Sequence, residues 1–229
     1  MSKSYCLTQN QLKVLLKGCG YSSVLGIGFD STALDNAVVL RTLNELTRAG
    51  LIWTDGDAFV IEPQLDSMIK RVGGAKCCYA ISSVKTELLE KCIFSGNGML
   101  FCTVRNDESR RITLSDCSFD DFLNTLIDEG YLPEKSSEIM PEEADCIEFE
   151  RSAFADCSYH TPIKENSPVL LSIERIIRSE KKEPAFLRLV RHYLSDYIVY
   201  EDDGETERIR YSAEIISKYL KKMVLNDNC

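Results

Sequence analysis

Few side chains in this 229-residue sequence stand at spacings that could do covalent chemistry. The two histidines, His160 and His192, are 32 positions apart with no carboxylate partner indicated, so each reads as a surface or packing residue rather than a base. Ser179-Glu180-Lys181-Lys182 has the Ser-x-x-Lys form, but it lies in a charged turn without the strand-to-helix elbow that presents a nucleophile. Gly26-Ile27-Gly28 lacks the third glycine and the preceding strand of a dinucleotide loop. Asp202, Asp203, Glu205 and Glu207 surround Gly204 like an oxygen-rich cation loop, yet the full Asp-x-Asp-x-Asp-Gly-x5-Glu spacing is missing and a solvated hairpin turn fits better. The ten cysteines sit singly inside apolar runs, such as Cys92 in Glu-Lys-Cys-Ile-Phe and Cys102 in Leu-Phe-Cys-Thr-Val, and no Cys-x-x-Cys occurs. Adjacent Cys77 and Cys78 cannot both face one site, so zinc ligand spacing is absent and free, mostly buried thiols are expected. No catalytic constellation, metal site or cofactor is expected, and function should rest on binding.

The totals narrow what is bound. With 44% hydrophobic and 28% charged residues the composition is that of a folded globular chain rather than a disordered one. The formal net charge is −9, from 36 acidic and 27 basic residues, whereas a nucleic-acid reader needs local cation density to displace counterions. The N-terminus has no apolar run of signal-peptide length, and no stretch of about 20 apolar residues follows elsewhere. A cytoplasmic protein without membrane contact is expected.

The most legible organisation runs from Thr32 to Val72. Thr32-x-x-Asp35 reads as a capping-box start, Val39, Leu43 and Leu46 form one apolar face, and Gly50 closes the helix. Leu51-Ile52-Trp53 then resumes as an extended segment, Asp55-Gly56 turns, and Phe59 to Ile61 returns. Pro63 opens the next helix, striped by Leu65, Met68, Ile69 and Val72 and stopped by Gly73-Gly74. This helix, ribbon, helix order suits either a winged-helix transcriptional regulator that binds DNA or a protein-binding module of the same layout. The candidate recognition helix carries only Arg41 and Arg48 against Asp35 and Glu45, which argues against nucleic acid.

Upstream, Thr8 and Gln11 form a capping box, with Leu7 and Leu12 as a hydrophobic staple and Leu15 and Leu16 continuing the stripe. Downstream the period shifts towards that of strands: Cys77 to Ser82, Leu88 to Phe94, Met99 to Val104 and Arg111 to Leu114, then a helix capped by Ser118 and stopped by Gly130. An acidic, proline-bearing connection follows. Val169 to Ile177 fits strand or helix. Phe186 to His192, Tyr197 to Tyr200 and Arg208 to Tyr211 then repeat the earlier order, with a turn at Glu201-Asp202-Asp203-Gly204 and a closing helix capped by Ser212. The expected fold is one α+β domain over 1–229: a winged-helix-like part (1–75), a first sheet-helix unit (76–131), an acidic connection and irregular segment (132–168) and a second sheet-helix unit (169–229). Its twisted mixed or antiparallel sheet would be built from two strand-strand-strand-helix units related by a pseudo-twofold.

The run Leu43-Asn44-Glu45-Leu46-Thr47-Arg48-Ala49-Gly50-Leu51-Ile52, followed by a ribbon and Ile61-Glu62-Pro63-Gln64-Leu65-Asp66-Ser67-Met68-Ile69, resembles the N-terminal region of the EspG family of type VII secretion chaperones. The later sheet units, each ending in a helix, are similar in order. The resemblance implies a cytosolic, non-enzymatic chaperone or adaptor that keeps a small helical secreted protein soluble, WXG100-like or PE/PPE-like in class, and it implies no cofactor. Such a site is an exposed apolar patch with a polar rim. Trp53, the sole tryptophan, is a natural anchor beside its turn, and Tyr197, Val199, Ile209, Tyr219 and Met223 are further candidates.

Overall fold

The computed structural model describes residues 3–28, 34–83, 89–95, 99–105, 110–133, 169–178, 185–192 and 195–225. Strand β1 (Ser4–Leu7) leads into α1 (Gln9–Gly18), whose first turn is closed at both ends of the capping box. The Thr8 hydroxyl accepts from the Gln11 amide at 3.2 Å, and the Gln11 side chain accepts from the Thr8 amide at 2.9 Å. Leu7 and Leu12, the staple pair, are both buried.

Helix α2 (Asn36–Arg48) begins one cap later than the sequence suggests. The Asp35 carboxylate accepts from the Val38 amide at 2.7 Å, so Asp35 is the cap rather than a member of a box begun at Thr32, which lies outside the described residues. Thr42 and Leu46 are the buried positions of α2, with Val39 and Leu43 half-buried. Strands β2 (Ile52–Asp55) and β3 (Ala58–Ile61) form a separate two-stranded ribbon. Its loop is Gly56-Asp57, one position beyond the Asp55-Gly56 expected, because Asp55 still pairs with Ala58. A positive φ at Gly56 alone is what a type II′ hairpin needs.

Helix α3 (Pro63–Gly74) starts with proline at its first turn and is capped by Glu62. That carboxylate accepts from the Leu65 amide at 2.8 Å, the Tyr5 hydroxyl at 2.5 Å and the Lys3 ammonium at 2.6 Å. One side chain thus ties β1 to the head of α3. Two hydrogen bonds and an ammonium favour its charged form, and hold Glu62 down at about 2. The helix ends at Gly74, with Gly73-Gly74 as its last two residues, and a Cβ on Gly73 would stand 2.4 Å from the Tyr21 ring.

The remaining strands are β4 (Cys77–Ser82), β5 (Leu89–Phe94), β6 (Met99–Arg105), β7 (Ile112–Cys117), β8 (Val169–Ile177), β9 (Phe186–His192), β10 (Ser195–Asp202) and β11 (Glu205–Arg210). Helices α4 (Phe119–Asp128) and α5 (Ala213–Leu225) follow β7 and β11. With β1 they make a nine-stranded sheet in the order β1-β7-β6-β5-β4-β8-β9-β10-β11, antiparallel at every pairing. The fold is α+β. Its seam is the β4–β8 pair, where Tyr79 stands opposite Arg175, and four strands then one helix run outward in chain order on either side. Each unit therefore opens with one strand more than the three-strand pattern. β4 and β8 are the added strands, central and buried on both faces, which removes the alternation that marks a half-buried strand.

Alternate residues feed two cores. Cys77, Tyr79, Ile81 and Ile93 join α4, α5, β8, β9 and β10 on one face. Cys78, Cys92, Phe94, Leu100 and Cys102 join β1 and α1 to α3 on the other. The two adjacent cysteines thus face opposite ways. Cys6, Cys19, Cys78, Cys92, Cys102 and Cys117 are free thiols, but Cys77 is disulfide-bonded, so the all-thiol expectation fails at that position. Gly26, at φ +68°, lets its loop lie directly on Cys78 and Cys92, and its carbonyl accepts from the Cys92 thiol at 3.1 Å.

One charged side chain is sealed into the first core. Lys91 on β5 is paired with Glu129 just after α4 and lies 4.7 Å from the centre of the Tyr131 ring. Its side chain is 1% exposed, and burial pulls the amine down to about 8.

Candidate functional site

The six candidate binding residues are not brought together. Trp53, in β2, is 42% exposed. Val199 is 1% exposed and Met223 2%, so both are core side chains, and an open patch needs neither. Tyr219, also buried, donates its hydroxyl to Glu207 and packs its ring 5.0 Å from that of Tyr200. The Met223 carbonyl accepts from the Tyr79 hydroxyl at 2.7 Å, which fixes α5 to the middle of the sheet.

Tyr197, Val199 and Ile209 do not share a face either. Val199 pairs with Arg208 and Ile198 with Ile209, so Ile209 shares its face with Ile198 and packs against the α4–α5 core, while Tyr197 and Val199 point to the opposite face. The alternation along β10 is real. It is two-sided because β10 lies between β9 and β11 in a sheet with side chains packed on both faces.

The groups with catalytic spacing are also accounted for. Asp203-Gly204, both at positive φ, form the two-residue turn of β10–β11. Asp202 accepts from the Tyr200 hydroxyl at 3.0 Å and pairs with Arg175 at 3.2 Å, and Glu207 is held by Tyr219 and Lys222. His192 lies in β9, whereas His160 and the Ser179 to Lys182 run fall outside the described residues. No cluster of three or more His, Cys, Asp or Glu among the described residues is placed to hold a metal ion.

What the chain leaves uncovered is concentrated elsewhere. Among the described residues four large apolar side chains are exposed, and three of them, Leu40 at 63%, Trp53 at 42% and Phe59 at 55%, belong to α2 and the ribbon. Trp53 stands opposite Val60, and Phe59 opposite Thr54, so the ribbon shows one aromatic on each of its faces. Ile52 at its base is buried, and α2 packs against β2 there. Beyond that base a two-stranded ribbon has no further layer to lie on, and its aromatics meet solvent. Phe59 and Leu40 were not singled out in sequence. Leu40 sits off the inward Val39-Leu43-Leu46 line, and that was the available signal.

The architecture defined here is a wide antiparallel sheet with helices on both faces and an apolar ribbon set beside its N-terminal helices. It is similar to that of EspG5, the Mycobacterium tuberculosis type VII secretion system chaperone, solved in complex with a PE25–PPE41 dimer: the TM-score is 0.59 at 10% sequence identity, over 98% of this chain and 96% of that one. The likeness is one of fold. No protein-family model and no curated protein matches the sequence. No helix among the described residues is long and apolar enough to cross a membrane.

Proposed function

We propose that this protein is a cytosolic chaperone or adaptor that binds a helical protein destined for a type VII-like secretion system and acts by binding rather than turnover. The observation that carries the reading is the full-length fold likeness to a chaperone whose solved complex holds a PE25–PPE41 dimer. The exposed aromatics of the ribbon support it, since a helix is recognised by burying a few side chains in an apolar surface. The partner in kind is a small helical secreted protein, PE/PPE-like or WXG100-like.

Co-expression tests this reading. Helical pairs of the PE/PPE and WXG100 classes from the same genome are produced with and without the chain, then fractionated by size exclusion. A pair that is soluble only with the chain and co-elutes with it in fixed ratio supports the proposal. Pairs of both classes that are equally soluble alone and elute separately overturn it.

A further inference from the structure

The charges around the exposed ribbon say what its partner must carry. Between Arg48 and Lys70 the sequence has Asp55, Asp57, Glu62 and Asp66 and no lysine or arginine. Two of these carboxylates are already engaged: Glu62 with Lys3, and Asp66 with Lys70 at 2.7 Å. The other two are at the ribbon's end, Asp55 closing β2 and Asp57 in the loop. Both are exposed, and neither makes an ion pair among the described residues. Two aromatics, one on each face, are thus capped by two carboxylates with no cation of the ribbon's own to balance them.

We infer that the ribbon is a docking finger for an amphipathic helix whose apolar side chains are followed by lysine or arginine. This rests on the chaperone reading and adds to it the place and the chemistry of contact. Trp53 and its cross-strand partner Val60 would supply the buried contact on one face of the ribbon, and Asp55 and Asp57 an anionic rim that selects a basic partner and repels an acidic one. The same rim disfavours a nucleic-acid backbone, because the ribbon offers phosphate no cation.

The single tryptophan makes the test direct, since emission excited beyond the tyrosine absorption band reports on Trp53 alone. Two synthetic helical peptides are titrated into the whole protein, with the same Leu/Phe face but flanked by lysines in one and by glutamates in the other. The lysine peptide is expected to shift the emission saturably to the blue and to bind about three- to tenfold tighter than the glutamate peptide at low salt. Tenfold is about 1.4 kcal/mol, shared between two rim charges of ordinary exposed-pair strength, and it should shrink as salt is raised. Asp55→Asn with Asp57→Asn should erase the preference while Trp53 still shifts, and asparagine before the Gly56 turn keeps a turn-forming residue there. Val60→Ala, across from Trp53, should weaken both peptides alike. Equal binding of the two peptides by the native protein overturns the inference, as does a preference that survives the double asparagine variant. A helical partner that forms a stable complex yet leaves Trp53 emission unmoved also overturns it, while leaving the chaperone reading standing.

Discussion

Replacing Lys91 with methionine should make the protein more stable, and by an amount that depends on pH in a defined way. The amine is sealed behind β5 with a side chain 1% exposed, and its partner Glu129 is 42% exposed and so remains largely hydrated. Burial therefore outweighs pairing, and the amine is lowered from 10.5 to about 8. Below about pH 8 the folded chain holds a charge it would rather shed, and the cost is present in full. Between about 8 and 10.5 the unfolded chain keeps a proton that the folded chain has released, so stability rises with pH through that window. At about 1.4 kcal/mol per tenfold change, the lowering corresponds to about 3 kcal/mol. Lys91→Met keeps an unbranched chain of similar shape without the charge. It should exceed the native protein by up to about 3 kcal/mol at pH 7, and the advantage should vanish near pH 10.5. Cys102, Tyr211 and Tyr219, all raised by burial, weaken both proteins in alkali and cancel in the difference. Urea unfolding of both proteins at four values from pH 7 to 10 measures it. A native protein that is the more stable at pH 7, or a difference that stays constant across the range, would refute the reasoning and show that Glu129 and the Tyr131 ring outweigh burial.

The capping carboxylate Glu62 should act in the opposite sense. Held down at about 2 against 4.5 unfolded, it contributes stability above about pH 4.5 that is lost as pH falls towards 2, so the gap between the native protein and Glu62→Gln in thermal unfolding should close across that interval. Gly26→Ala would place a Cβ 2.7 Å from the Cys78 sulfur and 2.9 Å from that of Cys92 at φ +68°, and should cost about 1–3 kcal/mol in chemical denaturation. Alkylation read by mass spectrometry should label Cys6 in the native protein and reach Cys78, Cys92 and Cys102 only on unfolding, with Cys77 blocked until a reductant is added.

Local chemistry was the legible part of this sequence. The Thr8–Gln11 box, the Ser118 and Ser212 caps, Pro63 at a helix start and both tight turns are decided by residues within four positions of each other, and they form as read, with the ribbon loop one residue along. Strand β1 was missed because four residues give no usable period, and what makes Ser4 to Leu7 a strand is its pairing with Ile112 to Ser115. The Val169–Ile177 ambiguity had another origin: a strand covered on both faces carries no alternation. Exposure was legible at Trp53 and illegible at Val199, Tyr219 and Met223, which are buried. A half-apolar strand or helix reads alike whether its apolar side meets a partner or its own sheet, and only the strand order says which.

The pairing of β1 with β7 also has a consequence for how the chain comes off the ribosome. Leu7, Leu12, Leu15 and Leu16 bury their side chains against a surface that includes Ile112 and Leu114. At roughly 5–20 residues per second, some 5–20 s of synthesis separates the two ends of that contact. For that interval the first helices exist without the strands they are shaped to cover. The N-terminal helices and ribbon are thus assembled early and closed late, with their apolar faces open until Ile112 and Leu114 have been made.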